Sequence, residues 1–182
     1  MDPEARRSAC AAFRAKLSRD TGENLTPAEC EELLSFTFVE GGEEVSVQTN
    51  PGLFYVRLGE AIVGRCLAHA LPDRKMVACW CYREAAEVHM HPEGMRILGT
   101  CLFRRGHGVT EDPVQAAVWF QKAADLGDAD SKAKLGGFLV VGEPRAGVAK
   151  DAARGFGLLR EAFVRSGLWS GAISRGTVLL AR

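Results

Sequence analysis

The sequence predicts an all-α protein: an α/α superhelical solenoid of about three helix-turn-helix repeats plus a final helix, with an N-terminal helical cap. Three observations carry this. Aspartates 73, 112 and 151 stand 39 residues apart. Glycines 59, 99, 136 and 176 form a second series, spaced 40, 37 and 40. The two series interleave with one period, which is the signature of stacked supersecondary units.

The N-terminal stretch, 1–52, lies outside the period and is read as a helical capping region, with the repeat array at 53–182. Pro3–Ser18 predicts one helix. LTPAECEELLSFTF, from Leu25, predicts another. There Thr26, Pro27 and Glu29 make a capping box, in which hydroxyl and carboxylate each satisfy a free backbone N–H. EEVSVQT, from Glu43, is either a short extended segment or a loop.

Each unit of the array then has an A-helix and a B-helix. The B-helices start at DRKMVACWCYREAAEV, DPVQAAVWFQKAADLG and DAARGFGLLREAFVRS. The leading carboxylate accepts from orphan N–H groups, and Pro113 is tolerated at the first helical position. Ala116, Ala117, Trp119, Phe120, Ala123 and Ala124 follow as an apolar stripe at helical spacing. Cys81, Trp119 and Leu158 are read as equivalent, 38 and 39 residues apart. The pairs Ala85-Ala86 and Ala123-Ala124 have their counterpart in Ala162-Phe163. The A-helices carry Leu58-Gly59, Leu98-Gly99 and Leu135-Gly136; the fourth glycine follows Arg175. Glycine inside a helix costs about 1 kcal/mol against alanine. Its recurrence predicts that two helices cross there too closely for a side chain. RRGHGVTED, Arg104 to Asp112, reads as the turn between them: arginines end the A-helix, Gly106 and Gly108 make the turn, Val109 fills the seam and Asp112 caps the B-helix. A fourth A-helix, Ser170 to Ala181, closes the sequence.

These motifs resemble the Sel-1-like repeat family, tetratricopeptide-type α/α repeats, over about residues 53–182. The best unit, Gly94 to Gly127, matches at Leu98, Gly99, Gly106, Gly108, Val109, Asp112, Ala116, Trp119, Lys122, Ala123, Ala124 and Gly127. The unit after it has a longer loop and Leu158 in place of the tryptophan. The unit before it has HALPD where the glycine loop belongs. The resemblance implies a non-enzymatic adaptor that binds a protein or peptide partner. The alternatives are an accessory region of a larger enzyme or ubiquitin-ligase assembly, or a hydrolase. Some cysteine-rich relatives are linked to β-lactam binding, but they carry regularly paired cysteines that this sequence lacks.

The resemblance also implies a concave surface lined by the A-helices. Counted from Leu98, it places Arg96, Thr100, Phe103 and Arg104 there. The same offsets in the next unit give Ala133, Gly137, Val140 and Val141. A basic patch beside an apolar one suits a peptide with apolar anchors and acidic flanks. The competing expectation is that the N-terminal helices fill this groove.

Composition excludes other classes. The chain of 182 residues has 23 basic and 23 acidic side chains, so no basic field speaks for nucleic acid. No apolar run is long enough for membrane insertion. MDPEARRSACAAFRAKL has an apolar face, but Asp2 and Glu4 speak against organelle targeting. The six cysteines form no spaced framework and read as reduced thiols, which places the protein in the cytoplasm or nucleus. Oligomeric state is left open.

Catalytic and cofactor readings are weak. Cys79, Cys81, His89, His91, Cys101 and His107 are ligand types for zinc. Cys79 and Cys81, two apart on a helix, point in different directions, and Cys81 belongs to the core. Cys101 with His107 lacks a third group to orient the base. The GHGV loop follows a helix rather than a strand, and Asp112 at the next helix start repels phosphate. No cofactor, metal or catalytic residue is therefore assigned.

Overall fold

The computed structural model describes residues 3–21, 32–35, 38–64, 73–104 and 109–165. The capping box at Thr26, Gly106, His107 and Gly108 of the glycine turn, most of HALPD, and the fourth A-helix lie outside them.

The order is α1 (Pro3–Thr21), a helical turn at 32–35, strands β1 (Phe38–Glu40) and β2 (Glu43–Val45), then α2 (Pro51–Val63) and α3 (Arg74–Arg83). There follow α4 (Pro92–Phe103), α5 (Pro113–Asp125), α6 (Ala129–Val141), a 3-10 turn at Pro144–Ala146 and α7 (Ala152–Arg165). β1 and β2 pair as an antiparallel hairpin, Val39 opposite Glu44, around Gly41 and Gly42, both at positive φ. That hairpin settles the open reading of EEVSVQT: its first three residues are strand and the rest is turn.

The A-helices are α2, α4 and α6; the B-helices are α3, α5 and α7. All three predicted aspartates cap B-helices. Asp73 accepts from the N–H of Lys75 and Met76, Asp112 from Gln115 and Asp151 from Arg154, at 2.9–3.1 Å. The A-to-B loops close in the same way in two units. Asp112 N–H donates to the Leu102 carbonyl at 2.9 Å, and Asp151 N–H to that of Leu139 at 2.8 Å.

The recurrent glycines sit where A- and B-helices touch. A β-carbon on Gly59 would lie 2.5 Å from the Tyr82 ring, on Gly99 2.9 Å from Phe120, and on Gly136 2.9 Å from the Gly155 carbonyl. Real side chains do not tolerate such distances. The glycine is the price of an apposition that buries Phe120, Cys81 and the alanine pairs.

The first B-helix differs from the sequence reading in register. α3 runs into a π-helical segment, Glu84–Val88. From the capping aspartates, Trp80 and Trp119 both stand at the seventh position, and Cys81 matches Phe120 at the eighth. Cys81 and Phe120 are both fully buried, whereas Trp119 is half-exposed under the Lys122 ammonium, 4.1 Å from its ring. The alanine pair comes one residue later in α3 than in α5, and the wide π turn takes up that residue. Cys81 is therefore core, but Trp80 holds the tryptophan position.

α1 packs on the first helix pair. Phe13 meets Trp80 edge-on at 5.0 Å and stacks with Tyr55 at 6.4 Å. The Trp80 indole N–H donates to Asp20, and Lys16 pairs with the buried Glu84 at 2.5 Å. One apolar cluster runs from Cys10, Phe13 and Leu17 through Leu33, Leu34 and Val45 to Phe54, Leu58, Cys81, Leu98 and Ala123.

Candidate functional site

The residues singled out in the sequence separate into three places. Thr100, Phe103 and Arg104 come together. They line a recess of about 120 Å³ between α4 and α6, completed by Phe120 from α5 and by Lys134 and Phe138 from α6. Phe103 and Phe138 lie 4.9 Å apart, and Phe120 meets Phe138 edge-on at 5.9 Å. Thr100 turns its hydroxyl to its own helix, donating to the Arg96 carbonyl. Arg104, the residue after the last helical turn, is exposed.

Beside the recess is a wider hollow, about 450 Å³, lined by Phe103, Arg104, Glu111 and Arg145. Arg145 lies 5.3 Å over the Phe103 ring and donates to Glu111 at 2.8 Å. The two spaces share Phe103 and Arg104.

Arg96 is not part of this recess. It is 21% exposed and lies among carboxylates: Glu93 at 3.1 Å, Asp128 at 3.6 Å and Asp130 at 3.8 Å. The last two are ion pairs too long for a hydrogen bond, and the buried Nε makes none. Glu93 also meets Arg57 of α2 at 3.3 Å, and Arg57 grips Glu40 of the hairpin through two N–H groups. An alternating charge chain thus runs Glu40, Arg57, Glu93, Arg96, Asp128 across the three described A-helices. These pairs raise the Arg57 pKa, with Glu40 the largest contributor.

Val140 turns to the other side. A β-carbon on Gly155 of α7 would lie 2.8 Å from its Cγ2, so Val140 belongs to the α6–α7 contact. Val141 is 72% exposed. Ala133 and Gly137 are half-buried, and nothing lies within 4 Å of where a Gly137 β-carbon would be.

Lys134 and Phe138 were missed by counting offsets from Leu98. The corresponding residues of α4 are Ile97, packed on the core, and Cys101, buried. The signal was local: Lys134 and Phe138 are four apart and share a helix face.

The thiols among the described residues occupy the interior. Cys10, Cys79, Cys81 and Cys101 are all buried and unoxidised. A hydrogen bond with Cys101 lowers the Cys79 pKa and raises that of Cys101, while burial raises Cys81. Reactive thiolates need access as well as a low pKa, and Cys79 has none. His89 stacks on Tyr55 at 5.6 Å, and His91 stands before α4 beside Gly52. Among the described residues, no three His, Cys, Asp or Glu side chains stand close enough to hold a metal ion. Among the same residues, no helix is long and apolar enough to cross a membrane.

The profile of the Sel1 repeat family matches residues 92–128, which are α4, its turn and α5. No curated protein matches the sequence. Among solved structures, the chain is similar to a Sel1 repeat protein from Oxalobacter formigenes, at 20% identity over 95% of this chain and 64% of that one, with a TM-score of 0.54. It is also similar to c5321, a protective antigen of uropathogenic Escherichia coli strains displaying an SLR fold. That match has 24% identity over 64% of this chain and 31% of the antigen, with a TM-score of 0.43. The chain therefore spans under two thirds of either relative's length. The Oxalobacter protein shares the helical repeat fold.

Proposed function

On the premise of a helical array with a Sel1 repeat at its centre, we propose that this chain is a non-enzymatic interaction module that binds a peptide segment of a partner protein on its A-helix face. Sel1 repeats commonly mediate protein–protein contact. The observation that supports the location is the aromatic recess between α4 and α6, where Phe103 and Phe138 reach the surface beside an exposed arginine. Aromatic residues, phenylalanine among them, and arginine are enriched in protein interfaces relative to the rest of the surface. Among the described residues, Arg57 and Arg96 on this face are already matched, whereas the recess is lined by cations and no carboxylate. α1 packs on α3 and Tyr55, and none of its residues lines the recess.

The test is affinity capture by the purified chain, compared with Phe103→Ala and Arg104→Glu variants. Both should lose the partners that the parent chain retains, with unchanged circular dichroism. An unchanged set of partners overturns the assignment. Arg96 is unsuited to this comparison, because reversing its charge would break the chain of ion pairs.

A further inference from the structure

Among the described residues, the recess between α4 and α6 is lined by two cations and no carboxylate. Lys134 is half-buried, its ammonium 5.7 Å from the centroid of the Phe120 ring. Burial lowers its pKa, and Arg104 and Arg96 lower it further; Asp130, on the same helix, opposes them as the weakest contributor. Arg96 is matched by Glu93, Asp128 and Asp130, and Arg145 by Glu111. Among the described residues, neither Lys134 nor Arg104 has a carboxylate within ion-pair distance. A cation that has given up part of its hydration and found no counter-ion is electrostatically incomplete.

We propose that this recess receives an acidic side chain of the partner peptide, its carboxylate between Lys134 and Arg104 and its aliphatic stem against Phe103 and Phe138. The inference rests on the reading of this face as a peptide site. Three features fit that occupant together. The space is small, about 120 Å³. Its walls are aromatic, which suits CH₂ groups as well as a bare anion would be ill-suited. Its two unmatched charges are both positive. The neighbouring hollow has its Glu111–Arg145 pair closed, so it makes no comparable demand for charge. The peptide would therefore place its acid in the recess and carry uncharged residues past Phe103.

A random peptide display library panned on the full chain tests this, followed by synthetic versions of the enriched peptides measured by fluorescence anisotropy. The enriched peptides should share an Asp or Glu beside an apolar residue. Replacing that acid by its amide should weaken binding about tenfold, as for a hydrogen bond to a charged group. Lys134→Met should erase the difference between acid and amide, and Lys134→Arg should keep it. Equal binding of acid and amide by the parent chain overturns the anion site. So does tighter binding of a phosphoserine replacement, which would reassign the cations to a phosphate. If the peptides bind Phe103→Ala as well as the parent, the face itself is wrong, which is a separate failure. A selection that enriches nothing overturns both.

Discussion

Gly136 and Gly155 face each other backbone to backbone across α6 and α7. A β-carbon on Gly136 would stand 2.9 Å from the Gly155 carbonyl oxygen, and one on Gly155 would stand 2.8 Å from that of Gly136. The neighbours are main-chain atoms and Val140 and Leu159 side chains, so neither can swing aside. Gly136→Ala and Gly155→Ala should each destabilise the chain by about 1–3 kcal/mol through overpacking. Gly137→Ala, one residue away with nothing within 4 Å, should instead stabilise by about 0.5–1 kcal/mol. Urea unfolding of the three variants checks the opposite signs.

The π turn at Glu84–Val88 makes a second prediction. It holds one residue that α5 does not have. Deleting Arg83, which precedes the turn, should convert it to regular helix and leave cooperative thermal unfolding intact. Deleting Ala117 from α5, where no residue is in excess, should rotate Phe120, Ala123 and Ala124 off the core and abolish the transition. Differential scanning calorimetry distinguishes the two. Loss of cooperativity in both would mean that the π turn is not the absorber.

Glu84 is only 7% exposed, and Lys16 of α1 grips both its oxygens. Lys16→Met would leave a buried carboxylate alone, and should cost about 1–3 kcal/mol. Lys16→Met combined with Glu84→Met removes the orphaned charge and should recover most of that loss. A double-mutant cycle by urea denaturation measures the coupling between α1 and the first repeat.

His91 sets a pH dependence. Burial holds its imidazole below the ordinary value of 6.5, outweighing the pull of Glu93, and its Nδ1 is buried without a hydrogen-bond partner. The unfolded chain thus binds the proton more tightly than the folded one. The stability that His91 contributes is present above pH 6.5 and declines as the pH falls through that value. The chain should lose stability between about pH 7 and about pH 5.5, and His91→Asn should lose less over the same interval. Urea midpoints at the two pH values test it. Further acidification should destabilise both chains, because Trp80, Arg57 and Lys132 hold Asp20, Glu40 and Glu161 below the ordinary carboxylate range.

The period, the helix starts and the close crossings could be read in the sequence because the backbone enforces them. Only a small set of residues caps a helix at Asp73, Asp112 and Asp151, and only glycine fits at Gly59, Gly99 and Gly136. Register within α3 could not be read, because one extra residue before the alanine pair allows two alignments until the π turn shows where it went. The lining of the recess was legible in α4 and not in α6. Thr100, Phe103 and Arg104 line the recess, but the same count in α6 reached Val140, which packs on Gly155, and passed over Lys134 and Phe138. Arg96 looked free although Glu93 stands three residues before it on the same helix; its other partners come from elsewhere, Asp128 before α6 and Asp130 in its first turn.

The bond that closes the A-to-B loops has a use beyond stability. Leu102 to Asp112 and Leu139 to Asp151 are stretches of different length, yet each ends in the same N–H to carbonyl contact. The helices therefore accept loops of different length between those anchors. A foreign segment grafted between Arg104 and Val109 would be displayed on two fixed stems beside the recess, so specificity could be rewritten there without redesigning the scaffold.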